Sequence, residues 1–273
     1  PVLAQSYENL VEQINTQSVE DIEDGSLAIN FARNLAEFTD SSFNTLTQTN
    51  DQSIEDVSDE SLVANIGIND ATFDNSNNND ATQSNEQSIE GVGDPSLAAN
   101  IGVNDADFVN SNDNVLDQSN EQSIEDVTDD SLAANIGVNN AEFTGEDPPC
   151  STCTGGSSDD NDVQQSNDQS IKEIDDESEV ANIGVNNAEL DDSDNNNVEQ
   201  SNDQDIEGID DDSEASNTGV NNTEFEGSDN NDVSQSNDQD IEDVDDDSSA
   251  SNDAGNSVSF DGDADGDGGC AFC

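Results

Sequence analysis

The sequence predicts an all-β fold: a repetitive β-solenoid or cross-β amyloid stack of seven rungs, built from seven 35-residue repeats. Three observations support this prediction: an internal repeat, alternating polarity within each repeat, and side-chain amides at fixed repeat positions. An ordinary globular domain is excluded, because 68 of the 273 residues are Asp or Glu and only two are Lys or Arg. So acidic a chain has too few apolar residues for a conventional core.

The repeat is marked by the tripeptide Gln-(Ser/Asp)-(Ile/Val), whose copies mostly lie 35 residues apart. Repeats of this length are typical of solenoids. The copies begin at Gln17, Gln52, Gln87, Gln122, Gln169, Gln204 and Gln239. One interval is 47 residues long and contains a twelve-residue, cysteine-containing insertion within 144–161. We therefore predict a lead-in at 1–16 with part of the first strand, a solenoid at 17–260, and an acidic Gly/Asp tail at 261–273.

The first arm of each repeat alternates in polarity, as in "QSNEQSIEDV" at 118–127. Gln118, Asn120, Gln122 and Ile124 fall on one side of an extended chain, and Ser and Glu residues fall on the other. This period of two predicts a strand with an inner face of amides and apolar groups and an acidic outer face.

The second arm is exemplified by "SLAANIGVNNAEF" at 131–143. Asn135, Gly137 and Phe143 alternate with residues such as Ile136, and neither side carries a charge before Glu142. Both faces of this predicted strand are therefore candidates for burial. The glycine would permit a bend or a close approach between sheets. The Asp, Ser and Asn residues between the arms are typical of turns.

Amide and aromatic residues keep the same position from repeat to repeat, which predicts a ladder. In rungs about 4.8 Å apart, each side-chain amide would hydrogen-bond to its copies above and below. Such bonds satisfy polar groups that are otherwise costly to bury. The ladder positions in the fourth repeat are Gln118, Asn120, Gln122, Ile124, Asn135, Ile136, Gly137 and Phe143. The alternative is a disordered acidic chain whose repeats are a relic of duplication, and the regular amide columns argue against it.

The phrase "SLAANIGVN", the Gln/Asn-rich strands and the terminal "CAFC" together resemble the subunits of Fap-type functional amyloids. That family consists of secreted bacterial biofilm fibre proteins with imperfect Gln/Asn-rich repeats and a C-x-x-C near the C-terminus. The resemblance covers residues 13–260 and the tail. It implies a polymer of this chain with itself and with other fibre subunits, located outside the cell or on its surface after removal of a signal peptide. This chain is more acidic than that family and nearly free of linkers.

The composition favours a structural role over catalysis. No histidine is present to act as a base, and a thin, solvated body offers few low-dielectric pockets to raise a carboxyl pKa. We therefore expect no enzyme activity and no required cofactor. A net charge of -66 argues against nucleic-acid partners, and no apolar run approaches the roughly 20 residues of a membrane span.

A second function is compatible with the same residues: a non-polymerising acidic β-solenoid that binds calcium or mediates surface adhesion. The first and last repeats depart from the consensus in the second arm, as capping repeats do. "DGDADGDGG" at 261–269 is similar to the first half of a calcium loop, with Asp261, Asp263 and Asp265 as ligands, although Phe272 stands where such loops have Glu. A flexible acidic tail is the other interpretation of this segment.

The cysteines form two C-x-x-C pairs, Cys150 with Cys153 and Cys270 with Cys273. Local disulfides are the preferred interpretation, and zinc binding and free thiols are the alternatives. Both pairs lie outside the predicted ladder, so we expect them to be accessory to the core.

Overall fold

The computed structural model describes residues 9–261 apart from 94, 146–158, 211, 228–229 and 246–247, and this part is an all-β solenoid of seven rungs. Within it, each rung consists of two strands of 13 residues. The first-arm strands are β1 (Leu10–Ile22), β3 (Thr45–Val57), β5 (Asp80–Val92), β7 (Val115–Val127), β9 (Asp162–Ile174), β11 (Asn197–Ile209) and β13 (Asp232–Val244). The second-arm strands are β2 (Leu27–Thr39), β4 (Leu62–Asp74), β6 (Leu97–Val109), β8 (Leu132–Thr144), β10 (Glu179–Asp191), β12 (Glu214–Glu226) and β14 (Ser249–Asp261).

Each arm forms its own parallel sheet, with the strands in chain order along the solenoid. Every strand pairs in register with its copies, so Gln118 lies beside Gln83 on one side and Gln165 on the other. Val115 pairs with Asp162 across the insertion. The stack therefore continues past the extra residues without a change of register, and the predicted seven-rung solenoid is confirmed.

The core of each rung has three zones between the two sheets. Ile124, Val127 and Ala133 belong to an apolar cluster at one end of the rung. Leu116 and Phe143 belong to a second cluster at the other end. The rings of Phe108 and Phe143 stack with centroids 4.7 Å apart, which matches the spacing of strands in a sheet. The zone between the clusters is lined by amides.

The connections use acidic residues where the backbone is left-handed. Asp126 has φ 56°, and the pairing passes from Glu125 to Val127 without it. Glu173 repeats this conformation in the next rung, with φ 55°. The left-handed residue leaves two successive side chains on the outer face before Val127 turns inward. Asp129 and Asp130 continue the turn with φ 59° and 57°. Asp and Asn tolerate this conformation better than other non-glycine residues, so the turn acids have a backbone role.

The structure also locates the predicted boundaries and the outer columns. β1 begins at Leu10, inside the predicted lead-in, and β14 ends at Asp261, the first residue of the predicted tail. Ile136 is in register with Ile101 and Ile183, but its column lies half-buried on the outer face rather than in the interior. Among the described residues, no helix is long and apolar enough to cross a membrane.

Candidate assembly interface

The glutamine column links each rung to its neighbours and to the opposite sheet. Gln118 Nε2 donates to Gln83 Oε1 and to the carbonyl of Asn140, both at 2.8 Å. Gln118 Oε1 in turn accepts from Gln165 Nε2 at 2.9 Å. The Gln122 column repeats this pattern, with Nε2 donating to Gln87 Oε1 at 2.8 Å. Both predicted columns are therefore ladders that also bridge the sheets.

The asparagines form the middle of the core. Asn120 Nδ2 donates to Asn139 Oδ1 in the opposite sheet at 3.0 Å and to Asn167 Oδ1 in the next rung at 2.9 Å. Asn120 Oδ1 accepts from Asn85 Nδ2 at 2.9 Å and from Asn104 Nδ2 at 3.3 Å. Asn120 is only 1% exposed. Each such amide satisfies its donors and its acceptor within the protein, which makes its burial tolerable.

Asn135 behaves in the same way, donating to Asn182 Oδ1 in the next rung at 3.0 Å. Two further ladder columns escaped the sequence prediction. Asn139 Nδ2 donates to Asn186 Oδ1 at 2.9 Å, and the turn residue Asn114 donates to Asn161 Oδ1 at 2.9 Å. Their recurrence at the repeat spacing was the available signal.

Gly137 is required by a close approach between the sheets rather than by a bend. A Cβ at this position would lie 2.5 Å from Asn167 Oδ1 and 3.1 Å from Asn120 Cβ. Such a separation is far inside van der Waals contact, so any side chain here would force the sheets apart. The glycine column therefore makes room for the asparagine ladder.

The ladders have a direction, which gives the solenoid two different ends. Glutamines donate toward the N-terminal rung, as Gln48 Nε2 does to Gln13 Oε1 at 2.9 Å. Asparagines donate toward the C-terminal rung, as Asn15 Nδ2 does to Asn50 Oδ1 at 3.0 Å. At the N-terminal end of the described stack, the glutamine columns therefore end on a donor and the asparagine columns on an acceptor. At the C-terminal end, the asparagine columns end on a donor and the glutamine columns on an acceptor.

At the C-terminal end, the terminal amides keep bonding capacity for a further rung. Asn237 Nδ2 donates to Asn256 Oδ1 at 2.8 Å and to the carbonyl of Gly255 at 3.3 Å, where an interior asparagine would donate to the following rung. Gln235 Nε2 donates to Gln200 Oε1 at 2.8 Å, and its Oε1 accepts no hydrogen bond from the described residues.

At the N-terminal end, Gln13 Nε2 donates only to the carbonyl of Leu35, at 3.0 Å, among the described residues. The Oδ1 of Asn15 accepts no bond there. The strand edges of β1 and β2 at this end, and of β13 and β14 at the other, are also the terminal edges of both sheets. Donors and acceptors left at one end thus match those left at the other.

One side chain at the C-terminal end interrupts this match. Ala254 pairs with Gly219 and so occupies the glycine column in the last rung. A Cβ on Gly219 would lie 2.8 Å from Asn237 Oδ1 of the following rung. In a continued stack, Ala254 would meet Asn15 of a second chain in the same way.

The first rung contains a precedent for an alanine in this column. Ala32 pairs with Gly67 and is buried. The ladder beside it is intact, since Asn34 Nδ2 donates to Asn50 Oδ1 at 3.2 Å. A terminal rung can therefore adjust to the additional Cβ, and Ala254 hinders a following rung without excluding it.

Carboxylates on the outer faces stand in columns of like charge. Glu125 lies between Glu90 and Lys172, and Lys172 is the only cation in this column. The one salt bridge among the described residues joins Arg33 to Asp70 at 2.9 Å. Stacking therefore places most carboxylates beside carboxylates rather than beside cations.

This repulsion and partial burial act on the acid groups of the second-arm sheet. Burial, followed by the nearby carboxylates of Asp105, Glu142 and Asp70, raises the pKa of Asp107 from 3.8 to about 6. Burial and the carboxylate of Asp70 also raise the pKa of Asp105. Burial and neighbouring acids likewise raise the pKa of Asp168 on the other sheet.

We expect the solenoid to be more stable near pH 5 than near pH 7.5. The folded pKa of Asp107 is about 6 and its ordinary value is 3.8, so between these values the folded chain binds more protons than the unfolded chain. Its stabilising contribution is complete below 3.8 and is lost as the pH rises through about 6. Thermal unfolding at constant salt measures this trend.

The matched control for this prediction is Asp107→Asn, which should flatten the pH dependence and raise the midpoint at neutral pH. A midpoint that rises from pH 5 to pH 7.5 in the natural sequence would contradict the prediction.

The remaining sequence predictions fall mostly outside the described residues. Cys150, Cys153, Cys270 and Cys273 lie outside them, as do Asp263 and Asp265. Asp261 is the last residue of β14. Within the described ranges, no group of three or more His, Cys, Asp or Glu side chains is placed to hold a metal ion. The disulfide, zinc and calcium interpretations stay predictions.

No protein-family model matches this chain, and neither a curated protein nor a solved structure matches it.

Proposed function

We propose that this chain is the structural subunit of an extracellular functional amyloid fibre that contributes to a biofilm matrix or to adhesion. It polymerises by adding the N-terminal rung of one copy to the C-terminal rung of another. The proposal rests on the match between the amide groups at the two ends of the described stack. Asn237 of one copy can donate to Asn15 of the next, and Gln13 of the next can donate to Gln235 of the first. Both bonds continue existing columns in their existing direction.

The apolar zones of the core continue across the same junction. Phe260 stacks on Phe225 with centroids 5.0 Å apart and is 66% exposed at the C-terminal end of the described stack. In a continued stack, its free face would meet Phe38 of the next copy, whose column it shares. Open strand edges invite such pairing, which most proteins prevent and fibre subunits use. A head-to-tail contact of this kind does not close on itself, so it yields a filament.

The main partner of this chain is another copy of itself, and other fibre subunits are additional partners. This function involves no catalytic step and requires no cofactor. The second candidate is a non-polymerising acidic solenoid that binds calcium or adheres to a surface. Ala254 favours this second candidate, because its Cβ opposes the arrival of another rung.

Replacing Ala254 with glycine should therefore accelerate fibre elongation. Relief of an overpacked contact is worth about 1–3 kcal/mol. Because an arriving rung meets this contact as it docks, we expect the activation free energy of elongation to fall, and about 1.4 kcal/mol of it corresponds to a roughly tenfold faster rate. Seeded elongation, followed by amyloid-dye fluorescence and electron microscopy at high salt, provides the measurement. Gly255→Ala is the matched control, because a Cβ there meets nothing within 4 Å.

If the protein with the natural sequence forms fibres and the Ala254→Gly variant elongates faster, the results support the proposal that this chain is a fibre subunit. Discrete particles from both proteins, across salt and calcium concentrations and at acidic pH, would favour the non-polymerising solenoid.

A further inference from the structure

The outer face of the second-arm sheet carries an apolar surface that the end-to-end junction does not use. It consists of the columns of Leu132, Ala134, Ile136 and Val138 over the first five rungs, apart from Arg33 in the first rung and Glu179 in the fifth, and we call it the apolar face. Its residues are partly exposed, with Leu132 at 40% and Phe31 of the first rung at 53%. Unlike the ladder columns, these side chains have no opposing sheet within the described chain.

The apolar face is confined to the first half of each second-arm strand. The second half of the same strands carries acids, including Asp105, Asp107 and Glu142. The outer face of the first-arm sheet carries Ser and acidic columns such as those of Ser123 and Glu125. A chain with a net charge of -66 thus keeps one flat area almost free of charge. Arg33, paired with Asp70, stands at its N-terminal edge.

The area of the apolar face is large enough for a specific contact. Side chains on one face of a strand recur about every 6.8 Å and strands lie about 4.8 Å apart, so four columns over five rungs cover roughly 600 Å². The largest apolar patch on a typical monomer is about 300–600 Å². Two such faces together would bury about 1,200 Å², at the lower limit of specific interfaces.

We infer that the apolar face pairs with the apolar face of a second copy of this chain. A basic partner would be attracted to the acidic surfaces rather than to this face, whose two charged positions, Arg33 and Glu179, carry opposite charges in its first and fifth rungs. What fits it is a flat, uncharged β surface of alternating small and branched side chains, and the same face on another copy has that shape. Sheets of this kind pack about 10 Å apart with interdigitated side chains.

Charge repulsion selects one arrangement of the two copies. A twofold axis parallel to the solenoid axis places apolar half on apolar half and sends the two acidic halves to opposite sides of the pair. A twofold axis along the strands would instead place Asp107 and Glu142 of one copy over the same acids of the other. The favoured arrangement also keeps both solenoids pointing in one direction, so the pairing is compatible with end-to-end growth but does not depend on it.

The test uses two double variants that add the same charge to different faces. Ile101→Asp with Ile136→Asp places like charges on the apolar face, where the seventh rung already carries Asp253 in the same column. Ser88→Asp with Ser123→Asp changes the first-arm outer face, where the sixth and seventh rungs already carry Asp205 and Asp240. Circular dichroism and thermal unfolding establish that both variants are folded. Sedimentation at high salt then measures the species at twice the chain mass of 28.8 kDa.

We expect the natural sequence and the Ser88/Ser123 variant to form this dimer, and the Ile101/Ile136 variant to lose it. In fibres, the expected mass per length of the Ile101/Ile136 variant is half that of the natural sequence. If the protein with the natural sequence stays monomeric and grows fibres of single width, the face-to-face pairing is contradicted and end-to-end growth is not. Equal dimerisation of both variants would also overturn it. A dimer without fibres would support the pairing and count against the proposed function.

Discussion

Replacing Asn120 with aspartate should largely unfold the middle of the solenoid. Aspartate would place a charge where the side chain is 1% exposed, and it would remove both donated bonds, to Asn139 and Asn167. Its second oxygen would then face two amide oxygens. An unpaired buried charge typically costs about 3–5 kcal/mol, which is a large share of the roughly 5–15 kcal/mol that stabilises a domain.

The matched control for this variant is Ser123→Asp on the outer face of the same strand. That column already carries Asp205 and Asp240 in the sixth and seventh rungs, so the control should lose less than about 1 kcal/mol, as surface changes usually do. Urea unfolding of both variants gives the comparison. Equal losses would show that the inner and outer faces have been assigned wrongly.

Replacing Gly137 with alanine should destabilise the solenoid by about 2 kcal/mol or more, because overpacking a close-packed interior typically costs about 1–3 kcal/mol. The new Cβ would lie 2.5 Å from Asn167 Oδ1. An interior rung is held from both sides, so it cannot shift as the first rung does around Ala32. Thermal unfolding measures the loss, and Gly255→Ala, in open space, should be nearly neutral. A Gly137→Ala protein as stable as this control would contradict the close approach of the sheets.

The architecture could be predicted from the sequence because the repeats encode it redundantly. The alternation at Gln118, Asn120 and Gln122 defined the inner face, and the constant spacing defined the register. The insertion was identified because the anchors on either side of it are unchanged, and the structure keeps Val115 beside Asp162.

Other features depend on the opposite sheet and could not be predicted from one strand. The second arm carries no charge before Glu142, so its pattern alone did not identify which side is buried. The asparagines opposite Gly137 decide this, since a Cβ on Gly137 would lie 2.5 Å from Asn167 Oδ1. Likewise, the direction in which the ladders donate depends on the orientation of each amide, which the sequence does not specify.

Crosslinking across the junction shows whether copies of this chain stack head to tail in ladder register. Thr16 and Asp238 are exposed members of one outer column in the first and seventh rungs. Within one chain they are six rungs apart, about 29 Å, whereas across a junction they would be about 4.8 Å apart. A Thr16→Cys, Asp238→Cys protein, with the four natural cysteines changed to serine, would be treated with a short bifunctional maleimide. We expect a series of covalent oligomers of increasing length from the double variant, and none beyond a dimer from either single variant. Fibres that yield no such series would contradict head-to-tail continuation of the ladder.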